Sequence, residues 1–284
     1  MLQGGTREDA PLVSTAWLGD HLKDPNVRII EVGDMSSPDI YREGHIPGAL
    51  HWPWKECLWD ALRREFVLPA DFARLMGKSG IRPETTVVFY SNSAQFATYA
   101  FWVSQMRGQD NAKVLNGTRG LWEKEGRPLL RDIPIVEPAV YPIRSVDESS
   151  RMGREGVLAG LGNPDRVLLD LRGTEEYRGE RVAPTTFAFD YGAERKGRIP
   201  GAKHLFYGEL LDADGRFKPI EELRETFRKS GALPEKENVF YCRLSHRASL
   251  GWFAARYLLG FPRTKVYDGS WTEWGSIVGF PIEK

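Results

Sequence analysis

Apolar residues along this chain fall into short runs of strand length separated by stretches of helical period, the alternation expected of parallel βαβ units. Val27–Val32, Thr86–Tyr90 and Lys113–Leu115 are strand candidates in the first half, and Val167–Leu171, Asn238–Tyr241 and Thr264–Val266 in the second. Between the last two strands of each half lies a helix with one buried face. Leu250, Phe253, Ala254, Tyr257 and Leu258 recur at i, i+3, i+4, i+7 and i+8, and Tyr99, Trp102, Val103 and Met106 repeat the face 151 residues earlier. Gly260 ends the second helix. The pattern predicts an α/β fold.

The halves repeat each other in detail. Gly44-His45-Ile46-Pro47-Gly48-Ala49 returns as Gly197-Arg198-Ile199-Pro200-Gly201-Ala202, and Val88-Phe89-Tyr90 returns as Val239-Phe240-Tyr241. Gly117 followed by Trp122 becomes Gly269 followed by Trp274. All these offsets lie between 151 and 153 residues, so two copies of one domain are expected. The proline-rich stretch 131–142 breaks helical periodicity as a connection would. The expected division is 1–130, a linker over 131–150, and 151–284.

Composition narrows the function. The chain has 284 residues with 41% hydrophobic and 27% charged positions, a globular balance. Its 39 Lys and Arg offset its 39 Asp and Glu, so no overall field attracts nucleic acid or anionic lipid, and an anion site has to be local. No run is long and apolar enough to span a bilayer, and the N-terminus carries no basic start ahead of an apolar stretch. Two cysteines, Cys57 and Cys242, make no disulfide framework and point to a reducing, cytoplasmic setting. The nine tryptophans form no stripe interleaved with basic residues, which gives no support to nucleic-acid binding.

Parallel strands joined by helices place ligand-binding loops at strand C-termini. After Tyr241 comes Cys242-Arg243-Leu244-Ser245-His246-Arg247, with a helix expected from about Ala248; after Tyr90 the matching residues are Ser91-Asn92-Ser93-Ala94-Gln95-Phe96. A cysteine ahead of a helix N-terminus, among two arginines and a histidine, has free amides and positive charge favouring its thiolate. The first copy's loop has neither thiol nor charge, so it reads as inert. For Cys57, on Trp54-Lys55-Glu56-Cys57-Leu58-Trp59, a structural role is expected.

The doubled Gly-x-Ile-Pro-Gly-Ala, the Asp170-Leu171-Arg172 strand end, the Cys242–Arg247 loop and the closing Tyr267-Asp268-Gly269-Ser270-Trp271-Thr272-Glu273-Trp274-Gly275 resemble tandem-domain rhodaneses, the thiosulfate and mercaptopyruvate sulfurtransferases. The resemblance covers nearly the whole chain. It implies two three-layer α/β/α domains, each with a central mostly parallel sheet, and a catalytic cysteine, Cys242, in the C-terminal copy alone. The reaction it implies moves a sulfane sulfur from a small donor to Cys242 as a persulfide, then to cyanide or a thiol, without metal or organic cofactor. Arg243 and Arg247 would hold an oxyanionic donor, each having solvated surface charge or a salt bridge to a neighbouring carboxylate as its alternative. His246 would polarise the donor or tune the thiolate, or else serve no special task. Leu244 and Ser245 would contribute backbone N–H groups.

Donor choice is less determined. Arg243 leans toward thiosulfate, whereas mercaptopyruvate enzymes follow the cysteine with small residues. The family's donor-binding arginine falls at Glu176, with Arg178 or Arg181 as substitutes or as part of a solvated turn. The second copy also carries about fourteen extra residues, within 178–196, which border the pocket if they fold toward it. Arg198, at the position of His45, either faces the cleft or is structural. Asp170 and Arg172 read as a fold-internal salt bridge or a loop cap, with ligand contact as the alternative, and Trp271 and Trp274 as core. The rival enzyme class is a cysteine-dependent phosphatase or arsenate reductase, which needs Cys-x-x-x-x-x-Arg; here Arg247 is five positions after Cys242 and the ring is tighter. A pair of non-catalytic binding modules is the alternative outside catalysis.

Overall fold

Alternate side chains of a strand point to opposite faces, so a strand buried throughout must be covered on both sides. Thr86–Tyr90 and Glu237–Tyr241 behave this way: after their first residues every position is buried. The computed structural model describes residues 10–33 and 38–284, so 1–9 and 34–37 of the expected first domain lie outside the described residues. The chain divides into two units, 1–147 with 213–216, and 148–212 with 217–284.

Each unit is built on a five-stranded sheet in which every pairing is parallel. In the first unit the strands run, edge to edge, Leu12–Val13, Ala112–Leu115, Thr86–Tyr90, Val27–Gly33 and Leu50–Pro53. In the second the equivalent order, from the opposite edge, is Lys203–His204, Arg166–Asp170, Glu237–Tyr241, Thr264–Tyr267 and Arg151–Met152. The longer strands match the apolar runs within a residue or two. The edge strands of two to four residues are too short to leave a pattern. Val88, Tyr90, Leu18, Ile46 and Trp122 share one cluster, while Val87 and Phe89, pointing the other way, are equally buried. Residues 131–147, expected as part of a linker, run extended against the first unit: the Ala139 N–H donates to the Gly77 carbonyl at 2.9 Å, and the Tyr141 hydroxyl to Gln109 at 2.8 Å.

The doubled motif has a local physical explanation. In Ile46-Pro47-Gly48-Ala49 the Ala49 N–H reaches back to the Ile46 carbonyl, and Gly48 has φ +79°; Ile199–Ala202 does the same with Gly201 at +77°. Proline followed by a left-handed glycine is the type II turn requirement. The turn aims the Ile46 and Ile199 N–H groups at the Tyr90 and Tyr241 hydroxyls, at 3.1 and 3.3 Å. Those hydroxyls in turn donate to Glu31 and, at 2.6 Å, to Asp170. Trp122 and Trp274, fully buried, each donate to a carbonyl, Pro128 and Pro281, at 2.8 Å.

The helix after Glu237–Tyr241 starts at His246, two residues earlier than the sequence indicates, because Ser245 takes a left-handed conformation (φ +70°) that ends the loop. It is α-helical to Phe253 and continues as a π-helical turn over Ala254–Leu258. Leu250, Phe253 and Ala254 are buried, whereas Tyr257 and Leu258 are only partly so, as the wider turn rotates them off the common face. Gly251 lets the helix approach the sheet: a Cβ there would lie 3.0 Å from Leu171 and 3.1 Å from Phe240.

Candidate active site

The strand Glu237–Tyr241 delivers Cys242 to the start of the helix, nearly fully buried at 1% exposure. Its backbone is fixed from the other side of the loop. The Cys242 N–H donates to Ser270 Oγ at 3.2 Å, its carbonyl accepts from the Trp271 N–H at 2.9 Å, and the Arg243 carbonyl accepts from the Thr272 N–H at 3.2 Å. Ser270, like Ser245, is a non-glycine residue with positive φ (+52°). Two such residues around one cysteine are backbone strain of the kind functional loops retain. Asp268 holds Ser245 in place, accepting from its Oγ at 3.0 Å.

The N–H groups of Arg243, Leu244 and Ser245 meet no acceptor among the described residues. They precede a helix whose first-turn donors also lack intrahelical partners. A thiol at this point has the donors needed to cradle one negatively charged sulfur atom.

Arg247 is committed to a partner. Its guanidinium makes a bidentate pair with Glu176 (Nη1–Oε2 2.6 Å, Nη2–Oε1 2.9 Å), and both side chains are buried. Burial lowers the Arg247 pKa, but Glu176 outweighs it, with a further push from Cys242, and the net shift is upward. The arginine therefore stays charged within electrostatic reach of the Cys242 sulfur, with two of its N–H groups committed to the carboxylate. Glu176 also accepts from the Gly173 N–H at 3.0 Å, which fixes the carboxylate. Of the readings of Arg247, the geometry is that of the salt bridge.

Arg243 has no carboxylate partner among the described residues. It is 8% exposed, and its guanidinium lies 5.3 Å from the Phe187 ring and 4.9 Å from the Tyr191 ring. His246, in the first helical turn, is buried at 7%. Leu244 is partly buried and Ser245 fully so. Cys242 and residues 243–247 are thus brought together, but as a four-residue loop plus the first turn of a helix.

The other candidates lie elsewhere. Arg198 is engaged by the C-terminus: it pairs with Glu283, donates to the Lys284 carbonyl at 3.2 Å and the Tyr177 carbonyl at 3.3 Å, and covers the Tyr177 ring at 4.7 Å. Arg181 donates to the Phe187 carbonyl at 3.3 Å, within the extra segment. Arg178 caps the short helix Thr174–Tyr177 and is exposed. None of the three has a hydrogen bond or ion pair to the Cys242 loop among the described residues.

Asp170 and Arg172 form an ion pair with both side chains at 0% exposure, closed by Nε–Oδ1 at 2.9 Å and Nη2–Oδ2 at 2.6 Å, with Nη2 also on the Gly197 carbonyl at 2.8 Å. The Arg172 guanidinium stacks 4.6 Å from the Trp271 ring, which ties this pair to the segment anchoring Cys242. Phe187, Tyr191, Glu176 as an ion-pair partner, and Ser270 are participants that sequence reasoning did not place. The run of aromatics between 187 and 191 in the extra segment is a signal for the first two.

The first unit lacks this constellation. Ser91 stands at the position of Cys242, and Ser93 precedes the helix Ala94–Met106. Cys57, on the short helix Trp54–Cys57, has its thiol pushed up to about 12 by burial and then by Glu56. In a Cys242→Ala background, iodoacetamide at pH 8 is accordingly expected to leave Cys57 unmodified over the time that alkylates a free small thiol. A rapid adduct by intact-mass spectrometry would contradict its burial. Among the described residues no group of three or more His, Cys, Asp or Glu is arranged to hold a metal ion, and no helix is long and apolar enough to cross a membrane.

Comparison with known proteins supplies the remaining evidence. The family model for the Rhodanese-like domain matches residues 14–125 and again 154–277. "Sulfur carrier protein TtuD" of Thermus thermophilus is 43% identical over 277 residues, covering 96% of each chain. A Mycolicibacterium smegmatis protein named "Putative thiosulfate sulfurtransferase" is 38% identical over 273 residues, covering 96% of this chain and 97% of its own. The crystal structure of an anaerobic ergothioneine biosynthesis enzyme from Chlorobium limicola superposes with a TM-score of 0.83 at 24% identity, over 96% of this chain and 70% of that one, a likeness of fold.

Proposed function

The chain belongs to the Rhodanese-like domain family, with two copies of the domain, and on that premise we propose that it is a sulfurtransferase taking a sulfane sulfur from thiosulfate to a thiophilic acceptor through Cys242. The observation that carries the reading is Cys242 at a strand end beside three amides and the Arg243 cation, which among the described residues have no acceptor and no carboxylate partner respectively.

The Cys242 thiolate attacks the outer sulfur of thiosulfate. A new S–S bond forms to Cys242, the S–S bond of the donor breaks, and sulfite leaves with the electron pair. Splitting the transfer through a covalent intermediate replaces one difficult step with two easier ones. The loop amides stabilise charge on the terminal persulfide sulfur, while Arg243 holds the oxyanion of the donor and of departing sulfite. An acceptor nucleophile then attacks the outer sulfur and releases the thiolate. Cyanide and thiols both serve, and a relative named as a sulfur carrier protein agrees with sulfur being passed onward. Mercaptopyruvate is the alternative donor, against which Arg243 weighs. The first domain is assigned a structural role, no nucleic acid or membrane takes part, and two unpaired cysteines suit a cytoplasmic setting.

Incubation with thiosulfate is expected to add one sulfur atom to the intact mass, lost again on addition of cyanide, with no turnover of an aryl phosphate. Aryl phosphate hydrolysis without the sulfur adduct would transfer the assignment to the phosphatase class. Neither activity would leave a binding module.

A further inference from the structure

The second unit's extra segment closes over the arginine beside the reactive cysteine. Its base is pinned at both ends. Asp190 accepts from the Val182 and Ala183 N–H groups at 2.6 and 2.9 Å and pairs with Lys196 at 3.2 Å. Arg195 donates to the carbonyls of Gly275, Phe280, Trp274 and Ile277, all within 3.1 Å, and its own carbonyl accepts from Trp271 Nε1 at 3.0 Å. Trp271 is the residue whose N–H holds the Cys242 carbonyl, so the segment and the cysteine loop share an anchor.

Between these pins the segment surrounds the Arg243 guanidinium. Phe187 and Tyr191 offer their rings, and Nη2 donates to the Tyr191 carbonyl at 3.3 Å. Gly192, with φ +120°, packs so close that a Cβ there would lie 2.6 Å from both Nε and Nη2. Apart from the bond to Tyr191, the Arg243 side chain donates to nothing among the described residues, and Nε is buried without a partner. Its neighbours Arg247 and Arg172 are, by contrast, matched by Glu176 and Asp170. A charge this well desolvated, with unused donors and no counter-ion, is a receptor for an anion.

We propose that Phe187, Tyr191 and Gly192 are positioning residues that hold Arg243 in one orientation, and that this segment thereby sets the site's affinity for a donor bearing an oxyanionic head. The inference rests on the sulfurtransferase reading and deepens it. Two rings and a glycine restrict the guanidinium to one plane, so its fork meets the anion without a rotamer search. The first domain has no such segment and no arginine to hold.

The test compares Phe187→Ala/Tyr191→Ala, Gly192→Ala, Tyr191→Phe and, as reference, Arg243→Ala. The double variant and Gly192→Ala are expected to raise the KM for thiosulfate about tenfold, in step with Arg243→Ala, while kcat falls less than threefold. Tyr191→Phe, which keeps the ring and the carbonyl, is expected to stay within twofold of the parent in KM. In the Cys242→Ala background, calorimetric titration with thiosulfate is expected to show the same order of affinities without any turnover. Equal affinities there for parent and double variant would overturn the proposal even though the sulfur adduct forms on Cys242. A kcat loss with unchanged KM would overturn it as well, since that is the mark of general loosening. Absence of the sulfur adduct on the parent protein would remove the sulfurtransferase reading and this inference with it.

Discussion

Replacing Cys242 with serine is expected to lower sulfite release from thiosulfate, assayed with cyanide as acceptor, by about 10³-fold or more. An alcohol at this position is almost wholly protonated near neutral pH and forms no S–S bond, so the covalent step is lost and not merely slowed. Serine is close to cysteine in size, and the first unit carries Ser91 at the same point of its own strand end, so the thermal transition is expected to stay within about 2 °C of the parent. Cys57 is not expected to take over, since its thiol stays protonated at neutral pH. A serine variant retaining more than a tenth of the parent rate would remove Cys242 from the mechanism.

Asp170→Ala is expected to be the most destabilising single change in the second unit. It strips a fully buried arginine of its carboxylate and the Tyr241 hydroxyl of its acceptor at once. Removing one partner of a buried pair costs about 3–5 kcal/mol, which corresponds to roughly 10 °C in the transition of a unit this size. A variant with both members replaced, Asp170→Leu/Arg172→Met, removes the stranded charge and is expected to recover a large part of that loss. Calorimetry of the three proteins decides the matter. If Asp170→Ala costs less than about 1 kcal/mol, the pair is not what holds this strand end, and if the double variant is as unstable as the single one, uncompensated charge is not the cause.

The features legible in the chain were local or duplicated. Comparing the halves located Tyr90 and Tyr241, the Ile-Pro-Gly turns and the strand end bearing Cys242, because each is a short pattern whose physics is contained within a few residues. The following helix starts two residues earlier than its sequence pattern indicates, since the left-handed conformation of Ser245 depends on Asp268, far along the chain. Glu176 and Arg247 are 71 residues apart, and nothing in a linear reading pairs one carboxylate with one guanidinium at that separation. The same holds for Arg198, whose partners are the last two residues of the chain. Charge in a motif was visible; whether that charge was already neutralised was a property of the fold.

The tyrosine pin has a consequence for how such a protein changes over generations. Tyr90, Glu31 and the Ile46 amide are complete in a unit that carries no thiol at its strand end, so the frame does not depend on the reactive loop it surrounds. A doubled domain of this design can therefore carry a different residue at that strand end in one half and keep the tyrosine pin.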